Sequence, residues 1–453
     1  MVDTRLKDYI HKNQGRFVED ISRLVAQRSV SARKEGIEEC SKLVSSMIKE
    51  IGGKPGILRQ DGSAPLVYGE IKSSKSEKTI LLYNHYDVQP EEPLELWKSP
   101  PFKPEVRKGR LYGRGASDDK GELVSRLKLI ESYMKVYGEP PCNIKFCFEG
   151  EEETGSNGLP RYVSQNKELF RCDASLWEHG SITEEGRPIV SLGGKGTLYV
   201  EYTVRSLRQD AHSAHAAILP SAPWRMVWLL NLIKDQNERV LVPGWYDGVE
   251  DFTRTELKFL DGQPFDRKFF EESYGPDEFV KASTDLELKT ALQSRPTANI
   301  AGIWAGYQGV GMKTVLPAEV HCKMDFRLAL GQDPKALFKK LRAYLDENGF
   351  SDVKMTVLDS EPAARTPPSD PWAKAAMRAG EKVYGKKSVV ELCSPGTSPH
   401  YLIRDNYGAP IVSIGISPPD ASLHAPNENI RLDLLERGMV WIAQTFENYL
   451  GAV

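Results

Sequence analysis

The sequence predicts a two-domain α/β protein in which an α/β sheet domain is interrupted by an inserted α+β domain, and three observations carry that expectation. From Leu6 to Leu192, short apolar runs of strand length alternate with segments of helical apolar spacing, the pattern of a sheet covered by helices. From Gly193 the texture changes to long stretches of strict period two, the mark of an antiparallel sheet with one wet face. From Trp372 the alternation of helix and strand resumes. The expected boundaries are 1–193 and 362–453 for the two parts of the sheet domain and 194–361 for the insert.

In order along the chain, Leu6 to Ala26 reads as a helix (Tyr9, Ile10, Phe17, Ile21, Leu24, Val25), and Ile37 to Ile51 as a second that stops at Gly52-Gly53. Val67 to Ile71 and Ile80 to Tyr83 read as strands, Gly121 to Tyr137 as a helix with Leu123, Leu127, Leu129, Ile130 and Met134 inward, and Ile144 to Phe148 as a strand. A helix around Tyr162 to Phe170 and strands at Ala174 to Trp177 and Ile189 to Leu192 close the first part. In the insert, Gly196 to Ser206 and Val320 to Leu328 are strands, Trp224 to Ile233 and Pro334 to Asn348 helices, and Met355 to Leu358 a further strand. The acidic and aromatic stretch Gly244 to Thr284 has no readable fold and is expected to shape a pocket. Glu361 to Asp370 is proline-rich and reads as a return linker. Then follow a helix from Trp372 to Tyr384, strands at Val389 to Leu392 and Ile411 to Ile416, and a last helix from Leu432 to Tyr449.

A formal net charge of -3 with 27% charged residues of both signs offers no basic field, so nucleic acid is not an expected partner. The six cysteines are scattered without C-x-x-C pairing, as suits a reducing compartment. The opening residues carry charges where a signal peptide needs an apolar core, and no apolar run reaches membrane-spanning length. A cytoplasmic protein without a membrane partner is expected.

Five side chains stand at strand ends or in the loops just beyond them, the edge where open α/β sheets bind ligands. His85 ends the run Ile80 to Tyr83, with Asp87 two residues on and able to orient its imidazole. Asp118, beside Asp119, sits in the glycine-flanked loop Gly113 to Gly121 ahead of a helix. Glu153 belongs to Glu149-Gly-Glu151-Glu152-Glu153, four acids in five residues that would repel one another unless a cation sat among them. Glu178 ends the next strand, and His424 follows the strand Ile411 to Ile416. Each fragment alone also has an ordinary reading: a histidine capping a core strand for His85, an N-cap and tight turn for Asp118, a solvated loop for the acids around Glu153. Together they form an imidazole and carboxylate set without thiolates, suited to Zn, Mn or Co, and two ions neutralise the acids better than one.

These motifs resemble those of the M20 metallopeptidases, the group with carnosinase-like dipeptidases, glutamate carboxypeptidases and aminoacylases, over nearly the whole chain. The resemblance implies a catalytic domain interrupted by a dimerisation or lid domain, and a homodimer. It implies that His85 and Glu178 hold one metal, that Glu153 and His424 hold the other, that Asp118 bridges them, and that the Asp118–Asp119 peptide bond is cis. Two divalent ions are expected, zinc first and manganese or cobalt as alternatives. It makes Glu152 the general base and Asp87 the partner that orients His85. Asp210-Ala-His212-Ser213 resembles the family's motif whose histidine reaches the partner subunit's site, with His215 a rival assignment. Arg327 resembles the arginine that binds the substrate carboxylate, and Thr314 a threonine that contacts substrate. Pro395-Gly396-Thr397-Ser398 stands where carnosinases have a Gly-Gly-Ser loop and lacks the preceding arginine, with Thr397 as the implied contact.

The expected function is hydrolysis of the C-terminal amide of dipeptides or short peptides with a free carboxylate, Glu152 carrying the proton from water to the leaving nitrogen. The alternatives are an aminoacylase acting on N-acyl amino acids and a non-catalytic binding protein on the same fold.

Overall fold

The computed structural model describes residues 2–280 and 284–451; residues 281–283, within the stretch without a readable fold, lie outside those described. Two compact units divide the chain, Met1–Gly193 with Arg365–Leu392 and Leu402–Val453, and Gly194–Ala364 with Cys393–Tyr401. The segment Cys393–Tyr401, which texture alone assigned to the sheet domain, therefore groups with the insert.

The first unit is built on an eight-stranded sheet in the order Lys54–Leu58, Leu66–Ile71, Asn143–Glu149, Thr79–His85, Ala174–Trp177, Ile411–Ser413, Ile189–Ser191, Val389–Glu391. Asn143–Glu149, Thr79–His85, Ala174–Trp177 and Ile411–Ser413 run parallel, and antiparallel strands flank them. Ile80, Leu81, Leu82 and Tyr83 are all buried, and Tyr83 stacks on Trp177 with centroids 3.7 Å apart. Each such side chain contributes about 1.5 to 3 kcal/mol on leaving water. Among the described residues, no helix is long and apolar enough to cross a membrane.

Four expectations need correction here. The single helix from Leu6 is two, Thr4–Lys12 and Gln14–Ala26, because Asn13 turns its amide back to the Tyr9 carbonyl at 2.8 Å. The helix around Tyr162 is likewise split into Leu159–Gln165 and Lys167–Phe170 at Asn166, which bonds to the Tyr162 carbonyl. The helix Lys120–Tyr137 is buried nearly all round rather than on one side, so Ser125, Arg126, Lys128 and Glu131 are inside with the leucines. The strand from Ile411 ends at Ser413, because the Ile416 N–H donates to the Glu122 carboxylate at 2.6 Å. A Cβ on Gly415 would sit 2.0 Å from that carboxylate, which is why glycine stands there.

The second unit holds a four-stranded antiparallel sheet, Thr297–Ala305, Glu319–Leu328, Gly196–Arg205, Lys354–Glu361. Leu198, Val200, Tyr202 and Val204 alternate inward and meet Met226 and Leu229 of Ala222–Ile233 and Leu337 and Leu341 of Pro334–Glu347. The stretch from Gly244 also has structure. Trp245 is fully buried against Phe326 at 4.8 Å, and short helices span Arg254–Asp261 and Arg267–Tyr274.

Candidate active site

Because four central strands run parallel, their carboxyl ends share one edge of the sheet, and five side chains meet there. His85 is the last residue of its strand, and Glu178 follows the last residue of the next one. The two oxygens of Asp118 face different imidazoles: Oδ1 lies 2.9 Å from His85 Nε2 and Oδ2 lies 3.0 Å from His424 Nε2. Beyond them, Glu178 Oε2 is 3.9 Å from His85 Nε2, and Glu153 Oε2 is 3.2 Å from His424 Nε2. The structure thus brings His85, Asp118, Glu153, Glu178 and His424 together. The Asp118–Asp119 peptide bond is cis.

Two expectations about the acids change. Asp87 lies just past the strand, and His85 Nδ1 meets the Asp87 backbone carbonyl at 3.1 Å, with the carboxylate 3.4 Å away. That carboxylate accepts the backbone N–H groups of Glu152 and Glu153 at 3.2 and 3.1 Å, so Asp87 fixes the acidic loop as well as the imidazole. Of the four acids in that loop, two turn away. Glu149 takes hydrogen bonds from Tyr83 and Ser156, and Glu151 takes the N–H groups of Ala64 and Gly158.

The electrostatics of the edge demand positive charge. Burial and the neighbouring Glu178 push the Glu152 carboxyl well above its usual range, and burial does the same to Glu178. His424 is pushed up to about 10 by its hydrogen bonds to Asp118 and Glu153. Burial would raise Asp118, but hydrogen bonds from His424 and His85 hold it well below. The demand that keeps protons on the two imidazoles is one a divalent cation meets. The donor set fits: His85, Asp119 and Glu178 each offer an atom within 4.8 Å of the others, as do His85, Asp118 and Glu153. Asp119 Oδ1 is buried with no hydrogen-bond donor among the described residues.

Several supporting residues went unread in the sequence. Glu428, fully buried, gathers the N–H groups of Gly115, Ser117 and Asp118, each at 2.9 Å, and the Arg114 guanidinium at 2.7 Å, which locks the loop carrying Asp118. Gln89 donates to Glu153 Oε2 at 2.9 Å. Arg126 donates to the Tyr83 and Trp177 carbonyls at 2.7 and 2.6 Å. Of the three, only Arg126 lies on a helix, and Glu428 and Gln89 stand in loops without periodicity.

In the second unit, Asp210 accepts the Ala318 N–H at 2.9 Å, and His212 pairs with Val315 across a two-residue ladder. His212 Nδ1 accepts the Ala214 N–H, which leaves the neutral ring's proton on Nε2, 2.9 Å from Thr314 Oγ1. His215 sits in the exposed turn Ser213–Ala217. Arg327 Nη1 donates to Thr397 Oγ1 at 2.8 Å, so these two expected substrate contacts are neighbours.

Residues 81–448 match the family model described as Peptidase family M20/M25/M40. The chain is a peptidase of family M20. The chain is 31% identical over 360 residues to the Cys-Gly metallodipeptidase dug1 of Schizosaccharomyces pombe, 75% of each protein. It is 26% identical to the human Beta-Ala-His dipeptidase, over 93% of this chain and 88% of that one. The solved M20 metallo-carboxypeptidase Sso-CP2 of Sulfolobus solfataricus superposes with a TM-score of 0.91 at 32% identity, covering 96% of this chain and 99% of that one. As an M20 peptidase, the protein combines a catalytic α/β unit with an inserted α+β unit.

Proposed function

We propose that this M20 peptidase is a two-metal hydrolase that releases the C-terminal amino acid from dipeptides and short peptides. The observation that carries the reading is the Asp118 carboxylate, which presents one oxygen to His85 and the other to His424. His85 with Glu178, and Glu153 with His424, would each hold one ion, zinc in the first instance, with Asp118 between them. When bound, the ions supply Lewis acidity for water and for the scissile carbonyl.

The chain's own groups do the rest. Burial and Glu178 raise the Glu152 carboxyl, and divalent cations beside it would oppose that rise and favour the carboxylate that acts as base. Glu152 takes a proton from the attacking water and delivers it to the amide nitrogen as the C–N bond breaks. The partner subunit's His212 serves as donor to the carbonyl oxygen that gains charge. Arg327, with Thr397 beside it, takes the substrate's free carboxylate in its planar fork, and Thr314 adds a contact through His212. The named substrates of the relatives, Cys-Gly and β-alanyl-histidine, are both dipeptides that end in such a carboxylate.

A homodimer is part of the same reading. Thr297–Ala305 is an edge strand with Ile300, Ile303 and Trp304 exposed, and the helix Ala222–Ile233 exposes Trp224, Val227 and Trp228. The six cysteines are buried and form no disulfide among the described residues, which fits a reducing cytoplasm.

A substrate panel tests the proposal. Cys-Gly and β-alanyl-histidine should be cleaved, and their C-terminal amides should lose most of kcat/KM in the wild type but little more in Arg327→Ala. Equal turnover of free and amidated peptides, or turnover confined to N-acetyl amino acids, would eliminate it.

A further inference from the structure

The hydrogen bonds that support the two halves of the site come from different parts of the fold. Arg126 lies fully buried on the helix Lys120–Tyr137. Its Nη1 donates to the Tyr83 carbonyl at 2.7 Å and to Asn84 Oδ1 at 3.0 Å, and its Nη2 to the Trp177 carbonyl at 2.6 Å. One guanidinium thus ties the end of the strand that delivers His85 to the end of the strand that delivers Glu178. Asn84 extends the tie: its Nδ2 donates to Asp119 Oδ2 at 2.6 Å, and the same oxygen accepts the His85 N–H at 3.1 Å.

Glu153 and His424 are held otherwise. Asp87 accepts the Glu153 N–H at 3.1 Å, and Gln89 Nε2 donates to Glu153 Oε2 at 2.9 Å and to its carbonyl at 3.3 Å. His424 rests on Glu153 and Asp118 at 3.2 and 3.0 Å. The Asp118 carboxylate touches both imidazoles, and Asp87, which meets His85 Nδ1 and accepts the Glu153 N–H, also serves both halves, whereas the hydrogen bonds of Arg126 and of Gln89 each fall on one side.

We propose that Arg126 is a positioning residue for the His85 and Glu178 half alone, and Gln89 for the Glu153 and His424 half, so that the two ions have separable supports. The inference rests on the two-metal reading above. Adjacent strands lie about 4.8 Å apart, and a rigid planar fork can set that spacing at both carbonyls, whereas a lysine ammonium is a point donor on a flexible stem. Groups that support ligands in this way typically change metal affinity about 10- to 100-fold. Burial of Arg126 is costly and pulls its guanidinium below the usual arginine range, an effect that the nearby Glu122 and Asp119 oppose.

The test uses cobalt titration of the purified full chain, followed by visible absorption. Wild type should take up two ions, and fewer would show that the two-metal reading itself has failed. Glu153→Gln leaves the His85 and Glu178 half, and Glu178→Gln leaves the other. Adding Arg126→Lys should weaken cobalt binding about 10-fold or more in the Glu153→Gln background and less than about twofold in the Glu178→Gln background. Gln89→Met should show the reverse. With two ions bound by wild type, equal weakening in both backgrounds, or in neither, overturns the inference. If circular dichroism shows Arg126→Lys unfolded, the Gln89→Met arm decides alone. That side chain is only partly buried, and weakening confined to the Glu153→Gln background, or absent from both, is the contrary result.

Discussion

In the sheet unit, Asp87, Asp119 and Glu428 are fully buried and His85 is 1% exposed. Each accepts or makes at least two hydrogen bonds, mostly to backbone groups of loops distant in sequence. In the inserted unit, His212 and Thr314 are exposed and the Arg327 side chain is 38% exposed; Thr314 bonds to His212, and Arg327 to Thr397. The first arrangement fixes geometry before substrate arrives, as chemistry at a metal centre needs. The second leaves side chains whose positions a bound peptide can settle. Preorganised groups and adaptable ones should therefore fail differently when changed.

The largest expected effect is on the rigid side. Glu152→Gln should lower kcat by about a hundred- to ten-thousandfold while metal content, read by elemental analysis, stays near that of wild type. Parallel loss of metal would place Glu152 among the ligands instead. Next is Glu428→Gln, which leaves the buried Arg114 without its carboxylate and turns a donor toward backbone N–H groups. It should cost about 3 to 5 kcal/mol in a urea melt and weaken metal binding through the Asp118 loop.

The adaptable side should separate binding from stability. Arg327→Ala should raise KM for Cys-Gly about 10- to 100-fold with a small change in kcat, and leave stability within about 0.5 kcal/mol. A comparable drop in kcat at constant KM would move Arg327 from recognition into the chemical step. Smallest is Thr253→Ala, which removes the reciprocal cap shared with Glu256 at the start of Arg254–Asp261. It should cost about 1 kcal/mol in the same melt with unchanged turnover, since that helix carries none of the expected site residues.

The same division decides what could be read from sequence. Gly196–Arg205 and Glu319–Leu328 were legible because each has one face in the core, so apolar residues alternate. Thr297–Ala305 was not, because Ile300, Ile303 and Trp304 are exposed on an edge strand and no alternation marks an inside. The helix Arg254–Asp261 is too short for periodicity to show, although its Thr-x-x-Glu cap was in plain view. At the site, the five expected ligands were legible as polar residues at the ends of apolar runs. Glu428, Arg126 and Gln89 were not, because their partners lie 42 to 314 residues away and no local pattern encodes them.

One measurement bears on the bridged centre most directly. Anomalous diffraction from crystals of the zinc-loaded protein should show two peaks about 3.5 to 4 Å apart, one on each side of Asp118, with His85 and Glu178 at the first and Glu153 and His424 at the second. A single peak, or two peaks with Asp118 touching neither, would contradict the bridged centre from which the proposed function follows.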